Sequence, residues 1–296
     1  MGKNKIKRLF NKIMKFEFLC SDSQGVRSMA LFIDTGIKII IDPSASLGPY
    51  RYGLRPTEIE YSKLLEYKKK IREYAKKSDV LIITHYHYDH YDPNENFYKN
   101  KRLFIKDPMN FINRSQKIRA EYFTQIVKNY EIADGKEFEI ENTKIKFSNP
   151  FHHGNENSRL GYVISVSVEK DLKLLFTSDV EGPIVESVAD YIISESPDLV
   201  VIDGPPTYFL GYRFSQMDLE RTISNLKRIV KEIDKVIIDH HLLRDLNYRE
   251  RLNDVYKNGN VFTYAEMNGE EINMLEAHRK DLYKKGEKTV NMEFEE

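Results

Sequence analysis

The chain has 296 residues, 41% of them hydrophobic, and its 46 basic side chains balance its 46 acidic ones. A formal charge of zero excludes a general attraction for polyanions, so a nucleic-acid substrate would have to be held by a local patch. The single cysteine, Cys20, excludes a disulfide within the chain and favours the reducing cytoplasm. No apolar run approaches the ~20 residues of a membrane-spanning helix, so we expect no transmembrane segment.

Residues 1–15 differ in composition from the remainder of the chain. Basic side chains such as Lys3 and Arg8 alternate with apolar ones such as Leu9 and Phe10 at helical spacing. This pattern predicts a basic amphipathic extension that is peripheral to the fold, with binding to an anionic membrane or to nucleic acid as the alternative role. Residues 16–296 contain no linker, repeat or low-complexity tract, and we expect one domain.

The elements of this domain follow from apolar runs and capping motifs. Pro56 and Thr57-x-x-Glu60 predict one helix start, and Ser215-x-x-Asp218 predicts another. The predicted strands are Phe16 to Cys20, Ser28 to Asp34, Lys38 to Asp42, the run before the histidines at 81–83, Leu103 to Lys106, Glu137 to Ile140, Lys144 to Ser148, Leu160 to Val168, Leu172 to Thr177, Leu199 to Asp203, Val236 to Asp239 and Val261 to Tyr264. The predicted helices are Glu58 to Lys77, Ile112 to Lys128, Ile184 to Ser194, Met217 to Ile233 and Tyr248 to Lys257. Strand runs interrupted by helices indicate two sheets between helical layers.

Four side chains with metal-binding chemistry follow the apolar run at 81–83: His85, His87, Asp89 and His90. Neutral imidazole and carboxylate are ligands that zinc prefers. If the backbone stays extended, alternation brings the first three side chains together, and the following loop can return His90 beside them. This stretch predicts the beginning of two adjacent metal sites, and a loop of solvated polar residues is the alternative.

Thr84-His85-x-His87-x-Asp89-His90 after a hydrophobic strand resembles the signature of the metallo-β-lactamase superfamily of binuclear metallohydrolases. The longer context resembles an archaeal branch of that superfamily whose substrate is not established. The resemblance runs from about Phe16 to about Glu270 and rests on Gly25-Val26-Arg27-Ser28, Asp42-Pro43, Tyr52-Gly53-Leu54 and the histidine motif. It implies an α/β fold, the four-layer αββα sandwich, in which two mixed β-sheets are flanked by helices and the metals lie at one rim between the sheets.

The resemblance also places later ligands where strands end. At the third motif it favours His153, which precedes a glycine, over His152. The latter then orients a ligand, contacts substrate or is a half-buried loop residue. Asp179 takes the position of the carboxylate that bridges both metals, although a turn or helix cap is the ordinary role of such an aspartate. His240 is the expected last ligand, and His241 is its rival, because adjacent residues of an undistorted strand point to opposite faces.

By this analogy two divalent ions are bound, with Zn²⁺ favoured by the nitrogen and oxygen ligands and Mn²⁺ or Fe²⁺ admitted. The first metal would be held by His85, His87 and His153, and the second by Asp89, His90 and His240. Asp179 and a hydroxide would lie between them, since two cations lower the pKa of a bridging water. Asp89 is the expected catalytic residue that orients this water, and Asp42 is expected to orient the metal loop through hydrogen bonds.

The number of residues between the motifs excludes some classes of substrate. Only about sixty residues lie between Asp179 and His240, too few for an inserted domain of ~100 residues such as enzymes resembling ribonuclease J carry. Tyr208, Arg213 and Arg114 are candidate substrate contacts, with packing or a helix start as their alternative roles. We expect hydrolysis of a phosphodiester, in a nucleic acid or a nucleotide. The alternatives are a carboxylic ester, thioester or lactone hydrolase, and a metal-stabilised binding or regulatory module without turnover.

Overall fold

The computed structural model describes residues 14–290, and its first sheet is built from the N-terminal part of that range. Its strands lie side by side in chain order: β1 (Lys15–Ser21), β2 (Met29–Asp34), β3 (Lys38–Ile41), β4 (Val80–Ile83), β5 (Arg102–Ile105) and β6 (Glu131–Ile132). The first three strands are antiparallel, and β3 to β6 run parallel. Parallel strands are covered on both faces, which explains why β3 and β4 are apolar almost throughout.

The second sheet comes from the C-terminal part and has the strand order β15-β14-β13-β12-β11-β8-β7. Its strands are β7 (Glu137–Ile140), β8 (Thr143–Phe147), β11 (Val166–Glu169), β12 (Lys173–Phe176), β13 (Leu199–Asp203), β14 (Val236–Asp239) and β15 (Val261–Phe262). Strands β12 to β15 run parallel, whereas β7, β8, β11 and β12 are antiparallel. A separate two-stranded ribbon pairs β9 (Phe151–His152) with β10 (Tyr162–Val163).

The two large sheets pack face to face through their apolar inner surfaces. Ile39 and Ile41 of β3 belong to one buried cluster with Phe176 of β12, Val201 of β13 and Ile237 of β14. Because side chains alternate along a strand, the residues between them face outward and need cover from helices.

Helices supply that cover on both sides. The first sheet is covered by α1 (Glu58–Lys77) and α2 (Arg114–Ile126), and the second by α3 (Glu186–Glu195) and α4 (Gln216–Glu232). Four short helices follow: α5 (Tyr248–Arg251), α6 (Asn253–Tyr256), α7 (Tyr264–Asn268) and α8 (Arg279–Lys284). The layers are helix, sheet, sheet, helix, so the prediction of a metallo-β-lactamase-type αββα sandwich is confirmed.

Both predicted capping motifs open helices. Glu60 accepts a hydrogen bond from the backbone N–H of Thr57 at 2.8 Å, at the start of α1. The hydroxyl of Ser215 accepts from the backbone N–H of Asp218 at 3.0 Å, at the start of α4. These bonds satisfy amide groups that the first helical turn leaves without partners.

Three element predictions were wrong in detail. The strand expected at Leu160 to Val168 is divided between β10 and β11, because the backbone N–H of Ile164 donates to the carbonyl oxygen of Thr84 and that of Ser165 donates to the hydroxyl of Ser148. The helix expected at Tyr248 to Lys257 is two short helices that meet at Leu252. The strand carrying the histidines ends at Ile83, so the ligand-type side chains after it lie on a loop.

The basic extension predicted for residues 1–15 falls almost wholly outside the described range. Its last residue, Lys15, begins β1, and Met14 is buried against the core. Among residues 14–290 no helix has both the length and the apolar character needed to cross a bilayer.

Candidate metal centre

Parallel strands of both sheets end at the same rim of the sandwich. Asp42 follows β3 and His85 lies just beyond β4 in the first sheet, while Asp179 follows β12, Asp203 ends β13 and His240 follows β14 in the second. The carboxyl ends of parallel strands lie at one edge of a sheet, which is where ligands commonly bind. The fold therefore brings residues almost two hundred positions apart into one polar cluster.

Asp179 lies at the centre of this cluster. Its Oδ2 atom is 3.5 Å from Nε2 of His85, 3.3 Å from Nε2 of His153 and 3.5 Å from Nε2 of His240. Its Oδ1 atom is 3.1 Å from Nε2 of His90. All five side chains are buried. A carboxylate surrounded by imidazoles from both sheets has the arrangement required to bridge two cations.

Ligand-type atoms form several sets whose members all lie within 4.8 Å of one another. One set contains His85, His87, His153 and Asp179, and another contains Asp89, His90 and His240. The structure thus brings together all seven side chains that the sequence analysis assigned to the metals.

Several nitrogen and oxygen atoms in this cluster are buried without a hydrogen bond to any residue in the range 14–290. They include Nε2 of His85, Nε2 of His90, both ring nitrogens of His153 and Oδ1 of Asp179. Leaving buried polar atoms unpaired costs roughly 1–3 kcal/mol each. Inward-facing imidazole nitrogens around a carboxylate fit a metal ion, whose bonds would offset that cost.

Carboxylates behind the imidazoles fix their orientation. The Nδ1 atom of His90 is 2.8 Å from Asp42, and that of His240 is 2.7 Å from Asp22. When Nδ1 donates to a carboxylate, Nε2 keeps its lone pair free for a metal. Asp42 also accepts from the backbone N–H and the hydroxyl of Thr84, so it holds the start of the histidine loop as expected.

His87 is positioned by a residue that the sequence analysis did not single out. The side-chain amide of Gln116, on α2, lies 3.4 Å from Nε2 of His87 and donates to the carbonyl oxygen of Leu160 at 2.6 Å. Its carbonyl oxygen accepts from the backbone N–H of Tyr86 at 3.0 Å. Gln116 is fully buried and ties the histidine loop to α2 and to the loop before β10.

Four residues of the site adopt positive φ angles that side chains other than glycine rarely take. The φ angles are 49° at Asp42, 59° at Ser178, 52° at Glu181 and 59° at His240. Such strain costs of order 1–3 kcal/mol per residue and persists only where the surroundings enforce it. At His240 the positive φ ends β14 and begins a short 3-10 turn, His240–Arg244.

This turn departs from the undistorted strand on which the choice between the two adjacent histidines was based. His241 also points inward, with its Nδ1 atom 2.9 Å from Asp203, and it lines the cavity above the cluster. Nε2 of His240 approaches Asp179 and Asp89, at 3.5 and 3.6 Å, while His241 belongs to a separate set with Asp179 and Asp203.

His152 does not join the cluster. It lies on β9, half-buried, with its ring 4.6 Å from the ring of Tyr162 on the paired strand. Of the roles considered for it, the half-buried residue packed on a neighbour matches this position.

The histidines of the cluster differ in pKa, and therefore in protonation. Burial lowers the pKa of His85 and lowers that of His87 to about 3, so both rings are neutral at physiological pH. Burial would also lower the pKa of His240, but Asp179 and Asp22 raise it to about 10. Burial would raise the pKa of Asp179, yet His90 and His240 hold it well below its usual value. Metal binding at His240 must therefore displace a proton.

Four charged residues of the site were missed by the sequence analysis: Asp22, Glu181, Asp203 and Arg244. Glu181 lies 3.7 Å from Nδ1 of His153, and Arg244 donates to Asp22 at 2.7 Å. Two of them had a local signal, since Glu181 is two residues beyond Asp179 and Asp203 ends a buried strand. Asp22 had none, because 218 positions separate it from the histidine that it contacts.

Comparison with known proteins places the chain in a family. It is 46% identical over 288 residues to a UPF0282 protein of Methanocaldococcus jannaschii, covering 91% of this chain and 96% of that one. It is 45% identical over 277 residues to a UPF0282 protein of Korarchaeum cryptofilum, covering 90% and 93%. The chain belongs to the UPF0282 family. No family model matches this UPF0282 protein.

Among solved structures, the protein is similar to an isothiocyanate hydrolase from Delia radicum gut bacteria. The TM-score is 0.50 at 17% sequence identity, and the match covers 81% of this chain and 94% of that one. At 17% identity the similarity supports the fold alone. The chemistry of the site must be inferred from its residues.

A cavity of about 1110 Å³ opens over the cluster of histidines and aspartates in this UPF0282 protein. Tyr208 and Arg213, two of the expected substrate contacts, line it. Arg114, the third, is exposed at the start of α2 and does not line it, whereas Arg119, further along the same helix, does. The cavity exceeds the volume of most small-ligand pockets and accommodates a substrate with more than one functional group.

Proposed function

We propose that this protein is a binuclear metal-dependent hydrolase that acts on a phosphodiester. The observation that carries the proposal is the set of imidazole nitrogens turned toward Asp179, buried and without hydrogen bonds among the described residues. In this proposal Asp179 bridges two Zn²⁺ ions, and Mn²⁺ or Fe²⁺ are the alternatives. The other ligands are His85, His87 and His153 for one ion and Asp89, His90 and His240 for the other. When bound, such a pair supplies a hydroxide at neutral pH and stabilises negative charge on the phosphoryl oxygens.

Asp89 is the proposed catalytic carboxylate. Burial would raise its pKa, but His90 and His240 hold it well below its ordinary value, so Asp89 stays ionised. Its Oδ2 atom is 3.6 Å from Nε2 of His240 and 3.8 Å from Nη2 of Arg244. An ionised carboxylate at this position can accept a hydrogen bond from the attacking water and orient it.

The charge of the cavity favours a phosphodiester over a neutral ester. Arg51, Arg119, Arg159 and Arg213 line it, and none forms an ion pair with a carboxylate of residues 14–290. Guanidinium groups match the geometry of phosphate oxygens and can bind them through two hydrogen bonds. A negatively charged substrate would neutralise them.

Turnover of two ester classes by the purified protein tests the proposal. We expect hydrolysis of bis-p-nitrophenyl phosphate after loading with Zn²⁺ or Mn²⁺, assayed separately, and little hydrolysis of a lactone panel. Turnover of lactones alone would indicate that the substrate is a carboxylic ester and not a phosphodiester. No turnover on either panel by a fully metallated protein would show a binding module.

The carboxylates behind the histidines provide a further prediction. We expect Asp22→Asn to weaken metal binding by about 10- to 100-fold, because the variant loses the charge that fixes the His240 ring. Competition with a chromophoric chelator measures the affinity. Asp281→Asn is the matched control, since Asp281, on α8, lies 3.2 Å from the exposed His278. This variant should bind metal as the wild type does. Equal affinity of the two variants would remove Asp22 from the support of the metal centre.

A further inference from the structure

One wall of the cavity carries an arginine without a carboxylate partner among residues 14–290. Arg27 donates two hydrogen bonds to Glu276, at 2.6 and 2.7 Å, and Arg244 donates to Asp22 at 2.7 Å and lies 3.8 Å from Asp89. Arg51 also lines the cavity and forms no ion pair within residues 14–290. The charges of Arg27 and Arg244 are thus compensated by nearby carboxylates, whereas that of Arg51 is not.

Contacts with neighbours hold Arg51 in place without neutralising it. Its Cζ atom lies 4.6 Å from the ring centre of Tyr52 and 4.5 Å from that of Tyr208. Its Nη2 atom donates to the carbonyl oxygen of Arg244 at 2.8 Å, and its Nε atom is buried without a hydrogen-bond partner in the described range. A fixed guanidinium stacked on aromatic rings is suited to bind a phosphate through two oxygens, because little side-chain freedom remains to be lost.

The position of Arg51 relative to the metal centre follows from the same contacts. Arg244, whose carbonyl oxygen it contacts, lies 3.8 Å from Asp89 and reaches His240 through Asp22. Arg51 is therefore connected to the centre through one residue, Arg244. A group bound there would be part of the same substrate molecule as the scissile phosphate without being that phosphate.

Aromatic rings near Arg51 indicate which part of the substrate connects the scissile phosphate to the group bound at Arg51. Tyr50 and Tyr52, at the cavity mouth, are 57% and 42% exposed, and Tyr208 is half-buried beside them. Exposed tyrosine rings next to a cationic side chain are typical of surfaces that stack nucleic-acid bases.

We propose that Arg51, with Tyr52 and Tyr208, binds a second phosphate of the substrate, which is a nucleotide phosphodiester carrying a further terminal phosphate. The inference rests on the proposed function and specifies its substrate class. Hydrolysis would break one P–O bond of the diester: the water oxygen joins phosphorus, and a proton passes to the oxygen of the departing alcohol. The second phosphate would be unchanged.

Two chromogenic esters that differ only in this group test the proposal. One is the p-nitrophenyl ester of thymidine 5′-phosphate, and the other carries an additional 3′-phosphate. We expect the metal-loaded wild type to prefer the second by at least about tenfold in kcat/KM, a difference worth about 1.4 kcal/mol. Arg51→Met should reduce this ratio to near one, mainly through KM. Arg55→Met is the control, because Arg55 is exposed and does not line the cavity, and it should keep the wild-type ratio.

Binding to the metal-free protein separates this inference from the proposed function. We expect thymidine 3′,5′-bisphosphate to bind wild type and Arg55→Met equally, and to bind Arg51→Met at least about tenfold more weakly, by calorimetric titration. Equal binding by all three proteins would overturn the role of Arg51, as would turnover of both esters with the same ratio in wild type and Arg51→Met. No turnover of either ester would contradict the hydrolase alone, and the titration would still decide the role of Arg51. Thermal melting of each variant verifies that it is folded.

Discussion

We expect Asp179→Ala to lose bound metal and nearly all hydrolase activity. Wild-type protein should contain about two ions per chain, in keeping with a two-metal hydrolase, and the variant clearly fewer. The reason is geometric, since the carboxylate of Asp179 approaches four imidazoles from both sheets. Without it, the positive charges of two cations would face each other unshielded. Activity on bis-p-nitrophenyl phosphate should fall by at least about 1000-fold, or about 4 kcal/mol of barrier.

Elemental analysis of both proteins after metal loading and desalting measures the occupancy. Asp254→Ala is the matched control, because Asp254 is exposed and pairs with Lys257 on the next turn. It should keep both the metal and the activity of the wild type. Unchanged occupancy in Asp179→Ala would exclude this residue from the metal centre, and with it the ligand assignment proposed above.

The second large effect concerns stability and involves the buried ion pair between Glu60 and Arg279. Glu60, at the start of α1, accepts from Nη2 of Arg279 at 2.7 Å and from Nε at 2.9 Å, and both side chains are fully buried. Its other oxygen accepts from the backbone N–H and the hydroxyl of Thr57. We expect Glu60→Ala to lower the free energy of unfolding by about 3–5 kcal/mol, because it strands the Arg279 cation inside the protein.

Denaturation in guanidinium chloride, followed by circular dichroism, measures this change. Glu66→Ala is the control, because it removes a glutamate of the same helix that pairs with the partly exposed Lys63. It should leave the midpoint of denaturation nearly unchanged. A loss below about 1 kcal/mol for Glu60→Ala would mean that water reaches Arg279 and that the pair is not sealed from solvent.

Most of the fold could be predicted because local signals agreed with the tertiary arrangement. Apolar runs such as 39–41 and 236–238 are long enough to mark strands covered on both faces, and the capping motifs at Thr57 and Ser215 marked helix starts. The predictions failed where a tertiary contact interrupts a regular pattern. The hydrogen bond from the backbone N–H of Ile164 to Thr84, at the point where one predicted strand divides into two, is such a contact.

Prediction of the site was limited in a different way. Of the residues assigned to the metals, His85 could be named from the local sequence, because an apolar strand leads directly to it, whereas Asp179 and His240 were assigned through the resemblance to the metallo-β-lactamase superfamily. The supporting residues could not be named, because they act across long stretches of chain: Gln116 reaches His87 from a helix, and Asp22 reaches His240 from the opposite end of the chain. Nor could the alternation rule anticipate the positive φ of His240, after which both adjacent histidines face the cluster around Asp179.

The clustered side chains come from both sheets. The geometry of the centre therefore depends on how the two sheets are aligned. Asp42, His85 and His90 move with the N-terminal half, whereas His153, Asp179 and His240 move with the C-terminal half. A sliding displacement of one half by a single ångström would lengthen the contacts to Asp179 on one side only. Substitutions between the facing sheets, remote from any candidate ligand, are therefore able to change the geometry of the centre without altering a single residue of the cavity.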